Sequence, residues 1–445
     1  MPATGDGSGC RDHPRAVVLV SPLPGRSRLR LLGPALLGAI AVSLGFAAPA
    51  PSAAPAPAAP AQAAVQARAA EGPSCDQTGS EGARTVTGEN DASNVLQVPA
   101  ATSLAAAAGT KPGAGVSVVV VDSPFAGLDP SRFEPLETEH GVVVAGIIGA
   151  RDQQEPVRVA AGIAPSARLV ERPFYVAPRG SSDGKVVPTS EGLATVLTDV
   201  AAQVRRGDLG PRVVVLVPME VPSSSALVAA LKRLRASGAL VIAAAGDRTE
   251  GTGFLDDFVG GPRPGEDAVR AVWPAADPGV VSVGVSASDA TGAVLRNSGV
   301  DLAAPGVGSV SVGLNGGWCV VASTSSHWAA AQVAGVAALV WSVHAEDDAQ
   351  QLRSRLEGTA SGDGAQASPL TGFGRVQAVE ALQRLVEGMD QSAAGAEEVP
   401  RGKVPAARAD AFAGARHDAV WWGLAGGGAV AVLLVLRPVL ARRRR

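Results

Sequence analysis

Charge excess of either sign is missing from this 445-residue chain: 38 Lys and Arg stand against 41 Asp and Glu, a net charge of -3. Without a basic surplus there is little to displace counterions from a phosphate backbone, which excludes nucleic acid as a partner class. A Gly-rich phosphate loop, a Cys-x-x-Cys metal pair and an internal repeat are also absent from the sequence. Nucleotide cradles, zinc ribbons and solenoids fall away with them, and no cofactor is implied. Cysteine is scarce, at three residues. What the chain does have is apolar residues, 46 % of the total, enough to bury one large core or two small ones.

The two ends are the most patterned segments. Arg26, Arg28 and Arg30 precede an apolar run from Leu31 to Phe46 and the small residues Ala48-Pro49-Ala50, the layout of a signal peptide over 1–50 with a long n-region. Val420 to Leu440 is apolar apart from Arg437 and is followed by Ala441 and four arginines. Its uninterrupted part, Val420–Leu436, is at the short end of the roughly 17–25 residues a spanning helix needs, and Arg437 can snorkel. A buried C-terminal helix is the alternative, but the Trp421-Trp422 pair and the terminal arginines favour a transmembrane helix at 420–440. The basic tail 441–445 then lies in the cytoplasm and the bulk of the chain outside, a single-pass protein of the cell membrane. Cys10 falls in the segment expected to be removed, which leaves Cys75 and Cys319 either as a disulfide in an oxidising compartment or as two inert thiols.

Residues 51–95 form an Ala/Pro-rich leader and N-terminal extension, and 388–419 a linker, both too poor in large side chains to build a core. Between them, 96–387 is a body large enough for one α/β domain. "VSVVVVD" (116–122), "VVVLVP" (213–218), "ALVIAAAG" (239–246) and "GVVSVGVS" (279–286) are continuous apolar runs of the kind buried on both faces of a parallel sheet. "EGLATVLTDVAAQVRRG" and "SALVAALKRLRASG" alternate with them at helical spacing and end in glycine. The expected fold class is therefore α/β, a mostly parallel central sheet between two helical layers, with ligands at the carboxyl ends of its strands.

Asp122 closes the first run, His140 opens "HGVVVAGIIGA", and a Ser/Thr cluster opens a third helical stretch at "STSSHWAAAQVAG". Asp, His and then Ser is one of the chain orders of a catalytic triad. With "GAGVSVVVVDS", "AAGIAPSARLV", "VWPAADPGVVSVGVS", "NSGVDLAAPG" and "VAGVAALVWS" in register, residues 96 to about 385 resemble the subtilisin-type serine proteases, the subtilases (peptidase S8). The anchored format resembles the mycosins, membrane-tethered subtilases associated with type VII secretion. The resemblance implies a subtilisin-like three-layer α/β/α fold. In it Asp122 orients His140, His140 takes the proton of a serine, and an Asn helps backbone N–H groups hold the oxyanion.

Several positions depart from the family pattern. Ser123-Pro124 replaces the usual Thr-Gly after the aspartate, which alters the turn but keeps the carboxylate. Asp247 takes the place of the Asn in Ala-Ala-Gly-Asn, and an ionised carboxylate cannot donate to an oxyanion. Losing one such donor costs about 10²–10³ in turnover. Pro218 falls about where a substrate-pairing residue is expected and has no N–H to offer. The family motif Gly-Thr-Ser-x-Ala-Ala-Pro-x-Val-Ala-Gly, counted back from Val333, sets His327 on the nucleophile position.

A rival alignment makes Ser325 the nucleophile by inserting two residues, which turns it by about 200° unless they bulge before the first helical turn. A third possibility is that these serines only cap the helix. The expected protein is thus a mycosin-like pseudoprotease, a scaffold or peptide holder at a type VII secretion membrane complex. The alternative is an active serine endopeptidase using Asp122, His140 and Ser325. His140, His327 and Asp247 could also form a divalent-metal set. His13, His344 and His417 have no visible partners.

Overall fold

The structure, a computed structural model, describes residues 69–384 apart from 78–81, 134–135, 182–183, 249–252, 288–289 and 363–366, together with 413–442. The expected signal peptide, most of the Ala/Pro leader, most of the linker and the last three arginines lie outside the described residues.

In chain order the elements are α1 (Asp91–Val95), α2 (Val98–Ala107), β1 (Ser117–Val120), α3 (His140–Gly149), β2 (Arg168–Glu171), α4 (Ser190–Arg206), β3 (Val213–Val217), α5 (Ser225–Arg235), β4 (Leu240–Ala244), β5 (Val281–Val285), β6 (Leu302–Ala304), β7 (Val310–Val312), β8 (Trp318–Val320), α6 (Ser326–Val343), α7 (Ala349–Gly358), α8 (Ala378–Gln383) and α9 (Ala413–Arg442). Strands β1 to β6 form one parallel sheet in the order β2-β1-β3-β4-β5-β6, and β7 and β8 form a separate antiparallel pair. The four apolar runs of the sequence are β1, β3, β4 and β5.

Continuous hydrophobicity is required because both sheet faces are covered. Along β3, Val214 and Leu216 enter the core shared with α3 and α6. Val213, Val215 and Val217 enter the opposite core with Leu193 and Leu197 of α4 and Leu227 and Leu231 of α5. The period of two is the pleat dividing side chains between layers. Helices α4 and α5 bury one stripe each, whereas nearly every residue of α6 is buried. That helix is apolar all round, as a helix running through a core must be. Truncating Leu216 to Ala, at a site with no exposure, would cost about 2–5 kcal/mol.

Before the sheet, the N-terminal extension lies along the β7–β8 pair. Val320 donates to the Pro73 carbonyl (2.9 Å) and Trp318 to that of Arg84 (3.0 Å). Cys75 is disulfide-bonded to Cys319 of β8, with Cα atoms 5.0 Å apart. At the other end, α9 begins at Ala413, inside the stretch expected to be linker, because "AGARHDAV" is rich enough in helix formers to start a helix before the apolar run. Its segment His417–Arg437 has a mean hydropathy of 2.0 and no buried share, so it is long and apolar enough to cross a membrane.

Candidate functional site

Asp122, His140, Asp247, Ser325 and His327 converge at the carboxyl edge of the sheet. Asp122 lies just beyond β1 and is fully buried. Its neighbour Ser123 accepts from the Gly141 N–H at 2.9 Å, so the residue that departs from the family turn pins the first turn of α3. Gly141 allows this approach, since a Cβ there would collide with the Ser123 carbonyl. His140, at the head of α3, is thereby held over Asp122, with Nδ1 2.9 Å from both carboxylate oxygens.

The second nitrogen of His140 faces another ring. Its Nε2 is 3.0 Å from Nδ1 of His327, on the first turn of α6. The Nε2 of His327 is in turn 2.6 Å from Oε2 of Glu220, a carboxylate just past β3. Four groups therefore form one line: Asp122, His140, His327, Glu220.

Nδ1–H of His140 donates to Asp122, and Nε2–H of His327 donates to the Glu220 carboxylate. One further hydrogen lies between the two facing ring nitrogens, so the pair carries a single positive charge, an imidazolium bonded to a neutral ring. Two carboxylates flank His327, which favours the charge on that ring. Burial opposes that charge, but the carboxylates of Asp247 and Glu220 outweigh it and push the pKa up to about 9. Burial likewise works against ionisation of Asp122 and Glu220. The histidines beside them prevail and hold both carboxyls below their ordinary values.

The Asp247 carboxylate is engaged at the start of α6. One oxygen accepts from the Ser326 N–H (2.8 Å) and hydroxyl (2.6 Å), and the other is 3.9 Å from His327 Nε2. A negative charge at the start of α6 also offsets the helix dipole. Ser325 is the N-cap of α6, and its hydroxyl accepts from the His327 N–H at 3.0 Å. Beyond Pro218 the chain turns back on itself: Val221 exchanges backbone hydrogen bonds with Trp273, at 2.8 and 3.1 Å. Among the described residues no group of three is placed to hold a metal ion. The site contacts of His140, His327 and Asp247 are hydrogen bonds and ion pairs.

Four participants were missed from sequence. Glu220 is the acid of an otherwise apolar segment, the one signal that could have marked it. Tyr175, the single tyrosine of the chain, donates to Asp122 at 2.6 Å, and burial followed by the Asp122 charge keeps its phenol protonated. Trp328 stacks on His140 with ring centroids 4.8 Å apart. Arg179 donates to the Glu220 carbonyl and lies over the Phe254 ring, 4.6 Å from its centroid. His344 and His417 are elsewhere, bonded to Leu382 O and Trp421 respectively.

Comparison with known proteins agrees with this architecture. The MycP3 protease from the type VII (ESX-3) secretion system is 25 % identical, over 71 % of this chain and 92 % of that one, with a TM-score of 0.50. MycP1 from Mycobacterium smegmatis is 22 % identical, over 75 % and 94 %, with a TM-score of 0.51. The family model described as Peptidase_S8, subtilase family, matches residues 119–376, from β1 to the segment before α8. That span is more than half of the sequence, and the chain belongs to the subtilase family.

Proposed function

We propose that this subtilase is a pseudoprotease: a membrane-anchored scaffold that holds a peptide or protein partner of a type VII secretion complex without cutting it. The observation that carries the proposal is the 3.0 Å contact between His140 Nε2 and His327 Nδ1. A general base must offer its lone pair to a nucleophile, and here that lone pair accepts from an imidazolium. No hydroxyl stands between the rings, and Ser325 is engaged as a helix cap. Removing the serine of a triad alone costs about 10⁶ in turnover.

The partner assignment draws on the likeness to MycP3 and MycP1, whose complexes are type VII secretion systems. Anchoring draws on α9, with the body extracytoplasmic and the arginine tail cytoplasmic by the positive-inside rule. The test is genetic. In a host lacking the chain, export of secretion substrates should fail, and the Ser325→Ala chain should restore it as fully as the unaltered one. Restoration by the unaltered chain alone, lost with both His140→Ala and Ser325→Ala, would establish the serine endopeptidase instead.

A further inference from the structure

The sheet edge opposite the histidine pair differs from it in charge. Strands β3 and β4 begin there, and helices α4 and α5 end there. The last turn of α4 carries Arg205 and Arg206, and that of α5 carries Lys232, Arg233 and Arg235, all exposed. Lys111 before β1 and Arg168 at the start of β2 add two more exposed cations, and Arg168 reaches the Asp208 carbonyl in the turn after α4. Of the acids of this sector, Asp208, Asp277 and Asp347 are paired with Arg206, Arg235 and Arg355, and Glu346 and Asp348 are exposed across the adjoining pocket. A surplus of cations remains.

Beside these helix ends a pocket of about 620 Å³ opens between the start of β4 and the turn joining α6 to α7. Arg212 and Arg235 line one side, and Glu346 and Asp348 line the other. The two guanidiniums lie against Gly115 and Gly279, where a Cβ would collide with them. Arg212 Nε is buried there without a hydrogen-bond partner.

The last described helix of the body, α8, ends at this same edge, where the Leu382 carbonyl bonds to His344 at the end of α6. Arg384, the last described residue of the body, has its carbonyl bonded to Arg355 Nη1 at 3.1 Å. Arg355 is paired with Asp347, which also lines the pocket. The cleft with His140 and His327 lies at the other end of α6.

We infer that this basic edge is a membrane-docking surface for anionic phospholipid headgroups, seating the body on the bilayer that α9 crosses and turning the histidine cleft away from it. The inference rests on α9 being a membrane anchor. Cations near an anionic surface each contribute about fivefold in affinity, and the effect is confined to within a Debye length, roughly 8 Å in physiological salt. Exposed helix ends satisfy that condition only if the body lies against the lipid.

The experiment is amide hydrogen exchange on the full chain in nanodiscs of phosphatidylcholine alone or with one third phosphatidylglycerol. Segments 205–212 and 232–238 should exchange at least about tenfold more slowly in the anionic discs. That protection should vanish in high salt. It should vanish too in Arg205→Gln/Arg206→Gln/Lys232→Gln/Arg233→Gln, whose β3 and β4 amides report an intact fold. Equal exchange in both discs, with the chain inserted, overturns the docking surface but leaves the anchor standing. A chain that enters neither disc overturns the anchor itself, and the docking surface with it.

Discussion

His140 and His327 meet ring nitrogen to ring nitrogen at 3.0 Å, each bound on its far side by a buried carboxylate, Asp122 and Glu220. A triad keeps the base's outward lone pair free for a hydroxyl. This array fills that position with a charge and closes the line with a second acid.

The array should be worth more to stability than to chemistry. In His327→Ala, Glu220 keeps a buried carboxylate with no imidazolium beside it, and His140 Nε2 loses its donor. Breaking a buried pair in this way costs about 3–5 kcal/mol, readable as a lower denaturant midpoint of the full chain in detergent. An unfolding free energy within about 1 kcal/mol of the unaltered protein would contradict the buried pairing of His327 with Glu220.

Stability should also fall on the alkaline side. The His327 pKa is raised from 6.5 to about 9 on folding, so its contribution is complete below pH 6.5 and is lost as pH climbs through 9. The whole change is about 3 kcal/mol. His327→Gln should flatten the stability profile between pH 6.5 and 9. Asp122 and Glu220, with depressed pKa values, act in the opposite window: their contribution is present above the ordinary carboxyl range and declines as acid protonates them.

Freeing the base should recover chemistry. His327→Ser removes the imidazolium and sets a hydroxyl on the nucleophile position, and Asp247→Asn adds an amide donor in place of a carboxylate. The double variant should turn over a peptide ester about 10²–10³ times faster than His327→Ser alone, and slow covalent labelling should accompany it. Equal rates for the two would show that Asp247 does not stand at the oxyanion position.

Ser325→Ala should behave as a cap deletion, lowering stability by about 1 kcal/mol and leaving labelling unchanged. The Cys75–Cys319 bond closes a loop 244 residues apart in sequence. Cys75→Ala/Cys319→Ala should therefore lower stability by about 2–5 kcal/mol, seen as a melting transition that no longer responds to reductant.

The layers, the four long strands and the positions of Asp122, His140 and His327 were legible because each rests on local pattern or on counting within one motif. Glu220 and Tyr175 were not. They reach the site from segments 107 and 53 residues away from the side chains they hold; the lone acid of "VPMEVP" is a local signal, but nothing in it or in "RPFYVA" names the partner. Strands β6, β7 and β8 have three residues each, too few for a period to show. The roles of Ser325 and Asp247 depended on a shift of two residues in alignment and on which partner a carboxylate finds, and only backbone geometry distinguishes such cases.

The most direct test of the blocked base is exposure of the purified full chain to a fluorophosphonate probe, with adducts mapped by mass spectrometry. No adduct should form on the unaltered protein at any pH between 6 and 9. An adduct on Ser325 that disappears in His140→Ala would contradict the account.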